Sequence, residues 1–298
     1  MRRKAETRAA AMPLDCPKSF RLDLVARSHG WYDLAPFEYD REERRLTMVI
    51  LAGERSKKVT VEETPQGIEV SATGGVTRNV LATVRRVLDL GSDLSSFHAA
   101  CRSREGFDWI ARSGAGRMLR APTLFEDAVK VLFTTNCSWG LTRSMVENLI
   151  ESFGRGGAFP TPEHVASLSE ATLRKEIRVG YRAPYLAKFA SAVASNRLDL
   201  ARWEDRDRPD EEIEKEIRSQ PGFGPYAVQT LGRLLGRHAG LGLDSWSRKK
   251  VAELRFKGRR VKDQRIERFY QPFGEFAGLA FWLDVTRDWH ADSEKLWS

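Results

Sequence analysis

Glu211-Glu-Ile-Glu-Lys-Glu-Ile-Arg-Ser-Gln220, then Pro221-Gly-Phe-Gly-Pro-Tyr226, then Ala227 to Gly236 is the stretch that decides the fold. It reads as helix, tight glycine hairpin, helix. Pro221 cannot continue the first helix, because its ring removes the N–H donor and clashes with the preceding turn. Gly222 and Gly224 allow positive φ and leave backbone N–H groups uncovered. Those groups fall at the start of the second helix, where unpaired donors and the helix dipole together favour an anion. Two readings are open at this point: a ligand-free corner between helices, or a seat for a nucleic-acid phosphate.

Working outward, the second helix is followed by a glycine-rich link, Gly236 to Gly242, and then by Leu243-Asp244-Ser245-Trp246-Ser247-Arg248. Asp244 sits where an N-cap is expected. Backbone N–H groups at a helix start also hold a carboxylate ionised, so capping and catalysis are compatible in one residue. Beyond it the chain turns basic. Between Arg248 and Arg268 ten Lys or Arg meet three acids, in a chain whose whole formal charge is +8. Such a run is either a solvated helical face or a surface that meets phosphates.

The rest of the 298 residues divides by period. Residues 1–18 read as a flexible basic tail carrying Arg2, Arg3, Lys4 and Arg8. Residues 19–115 read as a β-rich lobe with following helices. Phe20, Leu22 and Leu24 alternate, Leu46 to Ala52 is an apolar run, and Val59/Val61 and Ile68/Val70 alternate again, with turn residues between. From Val76 the period becomes helical. Thr123 and Thr161 are placed to cap helices, the second with Pro162 at the first helical position. Residues 116–298 read as the helical domain. The fold class is therefore α+β, a small N-terminal antiparallel β-sheet lobe followed by a mostly helical array that contains the hairpin. No stretch approaches the roughly 18 to 20 apolar residues that cross a bilayer, so no membrane is expected. The N-terminus lacks the apolar core of a secretory signal. Cys16, Cys101 and Cys137 are odd in number and far apart, which argues against disulfides and for a reducing compartment.

The pattern P-G-F-G-P-Y, an apolar helix and then L-D-S-W resembles the helix–hairpin–helix DNA glycosylase superfamily. The resemblance runs roughly from Asp15 to Trp289. Asp15-Cys-Pro-Lys-Ser-Phe-Arg-Leu-Asp-Leu24 and Gly180-Tyr-Arg-Ala-Pro-Tyr185 are similar to segments of the 8-oxoguanine DNA glycosylases. Phe159-Pro-Thr-Pro162 and the region from Arg268 to Trp289 are similar to the bacterial 3-methyladenine type as well.

The resemblance implies a site. Asp244 matches the catalytic aspartate, which would stabilise the oxocarbenium-like sugar and orient water. The bifunctional members place a Schiff-base lysine where this chain has Tyr226, which implies a monofunctional enzyme. Asn136, in Thr134-Thr-Asn-Cys-Ser138, matches the residue that fills the gap left by a flipped base. Tyr181 and Arg182 match a pair that contacts the opposite strand, and Leu141 replaces an opposite-base reader. Gly222, Gly224, Arg248 and Lys249 would meet the DNA backbone. Trp31, Tyr226, Trp246, Phe281 and Trp282 form the implied base pocket, aromatic enough to suit a cationic alkylated purine. An oxidised or deaminated base such as 8-oxoguanine is the alternative, and a catalytically silent protein that binds damaged DNA is the alternative of another class. Damaged duplex DNA is the implied partner, and the chain is expected to act as a monomer. The implied location is the bacterial cytoplasm at the nucleoid, or the nucleus in a eukaryote. No catalytic metal and no iron–sulfur cluster are implied, since no cysteine follows Cys137. A monovalent cation at the hairpin carbonyls is compatible with the resemblance.

Overall fold

The computed structural model describes residues 10–290. Five strands, β1 (Met12–Leu14), β2 (Phe37–Asp40), β3 (Arg45–Ala52), β4 (Arg55–Thr64) and β5 (Gly67–Ala72), form one sheet in the order β1-β5-β4-β3-β2, antiparallel throughout. Register follows from one apolar row. Met48 faces Val59, Leu46 faces Val61, and Val61 faces Val70, all of them fully buried. A slip of one residue would turn this row to solvent, and each such side chain contributes about 1.5–3 kcal/mol on burial.

Two expectations for the N-terminal region are corrected. Met12–Leu14 lies within the supposed tail, yet it pairs along β5, with Leu14 7% exposed at the edge of the core. Arg2, Arg3, Lys4 and Arg8 lie outside the described residues. Phe20 to Leu24 is not a strand, because Leu22–Ala26 is a short helix buried on every side. The polar residue of the alternation, Asp23, is itself buried and accepts from Arg27 and Tyr39, so the apparent period of 2 does not mark a solvent face. The Glu63 carboxylate of β4 accepts the Leu22 N–H at 3.0 Å, which ties that helix start to the sheet.

Helices occupy most of the remaining described chain. Thr123 accepts from the Glu126 N–H and Thr161 from the His164 N–H, so both caps form where the local chemistry places them. The helices that position the site are Leu124–Thr134, Trp139–Phe153, Asp210–Arg218, Pro225–Leu234, Ser245–Arg255 and Ala277–Val285. One continuous set of buried apolar side chains runs from Leu14 to Val285 and binds sheet and helices together. None of the described helices is long and apolar enough to cross a membrane.

Candidate active site

Helix Asp210–Arg218 stops at the hairpin, and Gly222 makes the turn with φ +88°. A Cβ there would lie 2.7 Å from Leu132 and 2.8 Å from Tyr185, so both backbone angle and space demand glycine. Gly224 differs from expectation. It is extended (φ −75°, ψ −178°), and nothing lies near the position of a Cβ. As N-cap of Pro225–Leu234 it brings no side chain to the first-turn N–H groups, which stay free for an anion.

The link from Gly236 to Gly242 folds back on helix Pro225–Leu234. Gly240 is pressed against Gln229 on one side and Gly278 on the other, so neither glycine has room for a Cβ. That close approach fixes Asp244. Its Oδ1 accepts the Ser247 N–H at 2.7 Å, and its own N–H donates to Ser247 Oγ at 2.9 Å, a reciprocal cap on helix Ser245–Arg255. Oδ2 accepts no hydrogen bond among the described residues, and Asp244 is half-buried on the wall of a cleft of about 1680 Å³.

The hairpin, the start of helix Ser245–Arg255, the loop Thr134–Cys137 and the turn Gly30–Asp33 surround this cleft. Tyr226, Thr230 and Arg233 line it from one helical face. Trp246, Trp282 and Trp289 form an aromatic corner. Trp246 stacks on Trp289 at 5.7 Å, and Trp282 lies 5.8 Å from Trp289, edge-on. Trp282 is anchored by a 2.8 Å bond from Nε1 to the Ser28 carbonyl, whereas Trp246 is 42% exposed. Trp289 escaped the sequence reading, although a third tryptophan seven residues after Trp282 on a helical path was a usable signal. Trp31 touches the cleft but is 3% exposed, with Nε1 donating to Asp127 at 2.8 Å.

Phe281 is a correction. It is fully buried against Tyr270 and does not line the cleft. Helix Ala277–Val285 is apolar nearly all round, so sequence alone does not say which face turns inward.

Asn136, φ +45°, is exposed at the tip of the loop between helices Leu124–Thr134 and Trp139–Phe153 and lines the cleft. Tyr181 is exposed beside it. Arg182 is the second correction. It is 6% exposed, donates to the carbonyls of Thr135 and Asn136, and stacks over the Tyr181 ring at 4.5 Å. It holds the loop instead of reaching outward. Arg248 is exposed but engaged in a two-point pair with Asp263 at 2.8 and 2.9 Å, and Lys249 is exposed; neither lines the cleft. Trp139, also missed by sequence reasoning, covers Gly30 and donates to Asp33 at 2.7 Å at the cleft mouth.

A glycine hairpin, a capped aspartate with one free oxygen and an aromatic cleft between them define a helix–hairpin–helix protein built around a large cleft. Residues 129–274 match the family described as "HhH-GPD superfamily base excision DNA repair protein". Over this segment, just under half of the chain, the protein is similar to the superfamily, in keeping with the resemblance read from its sequence. No curated protein matches the sequence. Among solved structures, the chain is similar to MBOgg1 in complex with a low-affinity DNA ligand (22% identity, 91% of this chain and 93% of that one, TM-score 0.73). It is also similar to the 8-oxoguanine glycosylase/lyase of Clostridium acetobutylicum in complex with DNA (18%, 93% and 93%, 0.71). A third is the 3-methyladenine DNA glycosylase of Archaeoglobus fulgidus (18%, 94% and 98%, 0.73). These likenesses concern the fold.

Proposed function

We propose that the protein is a monofunctional DNA glycosylase of base-excision repair, which flips a damaged purine out of duplex DNA and hydrolyses its N-glycosidic bond with Asp244. The observation that carries this reading is the carboxylate itself, clamped through Oδ1 while Oδ2 stays uncommitted at the cleft wall. As the bond to the base breaks, positive charge develops on the deoxyribose. A preorganised anion stabilises it and accepts a proton from the water that attacks C1′; the base leaves with the bonding pair and is protonated. Hydrolysis without strand cutting is supported by Tyr226 in the hairpin helix and by the absence of any lysine from the described cleft lining. Lys249 and Lys250 of the following helix lie outside that lining, and Lys250 is paired with Asp288.

Asn136 fills the gap in the duplex, and the free N–H groups after Gly224 take a backbone phosphate. Damaged double-stranded DNA is the partner, met by one copy of the chain wherever the cell keeps its DNA. A monovalent cation at the hairpin fits the donor set, since the carbonyls of Pro221 and Gly222 accept no hydrogen bond among the described residues; when bound it would supply a positive bridge to phosphate.

Substituting Asp244→Asn tests the reading. Asn caps a helix about as well as Asp, so the fold persists, while base release falls at least about a hundredfold, the scale of a lost preorganised contact. Unchanged release would remove Asp244 from the chemistry. A silent damage-binding protein, the reading of another class, would bind lesion DNA yet leave no alkali-labile site. Between lesion classes, the buried cation of Arg233 in the cleft wall favours an uncharged base over the alkylated, positively charged purine suggested by the aromatic residues.

A further inference from the structure

Arg233 follows Tyr226 and Thr230 by two turns and one turn on the same helical face, and all three line the cleft. The side chain is 4% exposed. Its Nη2 donates to the Leu241 carbonyl at 3.0 Å, its Nε is buried without a partner, and its Nη1 has none among the described residues. The guanidinium lies 4.6 Å from the centroid of Trp282. A buried polar group left unmatched is costly, and one in a cleft wall is matched when the ligand arrives.

Charge decides what that ligand is. Burial lowers the Arg233 pKa to about 10, with Tyr226 and Asp244 opposing the shift, so the group is a cation throughout the neutral range. Its neighbour in charge, Asp244, is committed in the reaction to the sugar. The Trp282 ring already serves one cation, which draws on the negative face that a cationic base would need. A second positive charge in the same corner is repelled by a guanidinium that is itself almost wholly buried and so poorly screened. Trp246 and Trp289, stacked on each other, offer an aromatic surface that a neutral ring can share.

We propose that Arg233 is the specificity-determining residue of the cleft: its fixed charge rejects positively charged alkylated bases, and its unpaired Nη1 reads a carbonyl oxygen of a neutral damaged purine. The inference rests on the glycosylase reading and narrows it to lesions such as hypoxanthine and 8-oxoguanine.

Base release by the full chain from duplexes carrying a single hypoxanthine, 8-oxoguanine or 7-methylguanine tests it, each rate expressed as an acceleration over the uncatalysed loss of that base. The wild type is expected to accelerate release of one neutral purine at least about tenfold more than release of cationic 7-methylguanine. Arg233→Met is expected to shift the cation-to-neutral ratio upward by about a hundredfold, and Arg233→Lys to keep the rejection of 7-methylguanine while losing the carbonyl reading. Ratios taken within one preparation cancel any loss of folded protein. A wild type that prefers 7-methylguanine, or an unchanged ratio in Arg233→Met, overturns the assignment and leaves the glycosylase standing. Failure of the wild type to release any of the three bases overturns both readings, whereas release that is undiminished in Asp244→Asn overturns only the aspartate mechanism.

Discussion

Gly222 and Asp244 carry most of what the site demands of single residues. Gly222→Ala forces a Cβ into a left-handed turn and against Leu132 and Tyr185. It is expected to lower stability by about 2 kcal/mol or more, measured by chemical denaturation. His29 offers a test of a different kind. It is buried, its Nε2 donates to the Leu119 carbonyl at 2.6 Å, and burial lowers its pKa to about 3. A histidine kept neutral when folded stabilises fully above its unfolded pKa near 6.5, and that contribution is lost as pH falls from there toward 3. Between pH 6.5 and 5 the wild type should therefore lose about 2 kcal/mol more than His29→Gln, by denaturant melts at both pH values. A parallel pH response would contradict the buried neutral ring. The N-cap at Asp244 was legible in sequence because capping signals are local. Arg182 was not, since nothing in Gly180-Tyr-Arg-Ala-Pro-Tyr185 tells a solvated arginine from one folded back on carbonyls 46 and 47 residues away.

Secondary-structure elements were legible where a local signal had only one solution. The hairpin, the Thr123 and Thr161 caps and three of the five strands follow from glycine, proline, hydroxyl caps and period. Leu22–Ala26 and the orientation of Ala277–Val285 were not legible, because both are buried on nearly every side, their one aspartate included, and only the surrounding core chooses their face. β1 and β2, three and four residues long, are too short to carry a period. The loop from Thr134 to Ser138 depends on an element elsewhere, the turn Gly180–Arg182 that clamps it. Arg182→Met should loosen this loop and lower kcat/KM on duplex substrates by about tenfold, with little effect when the lesion lies in a single strand. Equal losses on both substrates would mean that the clamp supports something other than gap filling.

Across the whole molecule, structure redistributes the charge that composition only sums. Arg248, Lys250 and Arg255 of the basic segment are neutralised by Asp263, Asp288 and Asp284. Lys257, Arg259, Arg260 and Lys262 remain exposed, without an ion pair among the described residues, in and beside one turn after helix Ser245–Arg255. If this turn meets phosphates, replacing Arg259 and Arg260 with Ala reduces the salt slope of duplex binding by about one per residue, seen by titration at several salt concentrations. An unaltered slope would place the DNA elsewhere on the surface.

The most direct test of the account is the product formed on lesion-bearing duplex by wild-type protein and by Asp244→Asn, resolved on denaturing gels before and after alkali. The wild type should yield intact strands that break only on alkaline treatment, and the Asn variant should yield almost none. Strand breaks before alkali, or a variant as active as its parent, would contradict hydrolysis driven by that one carboxylate.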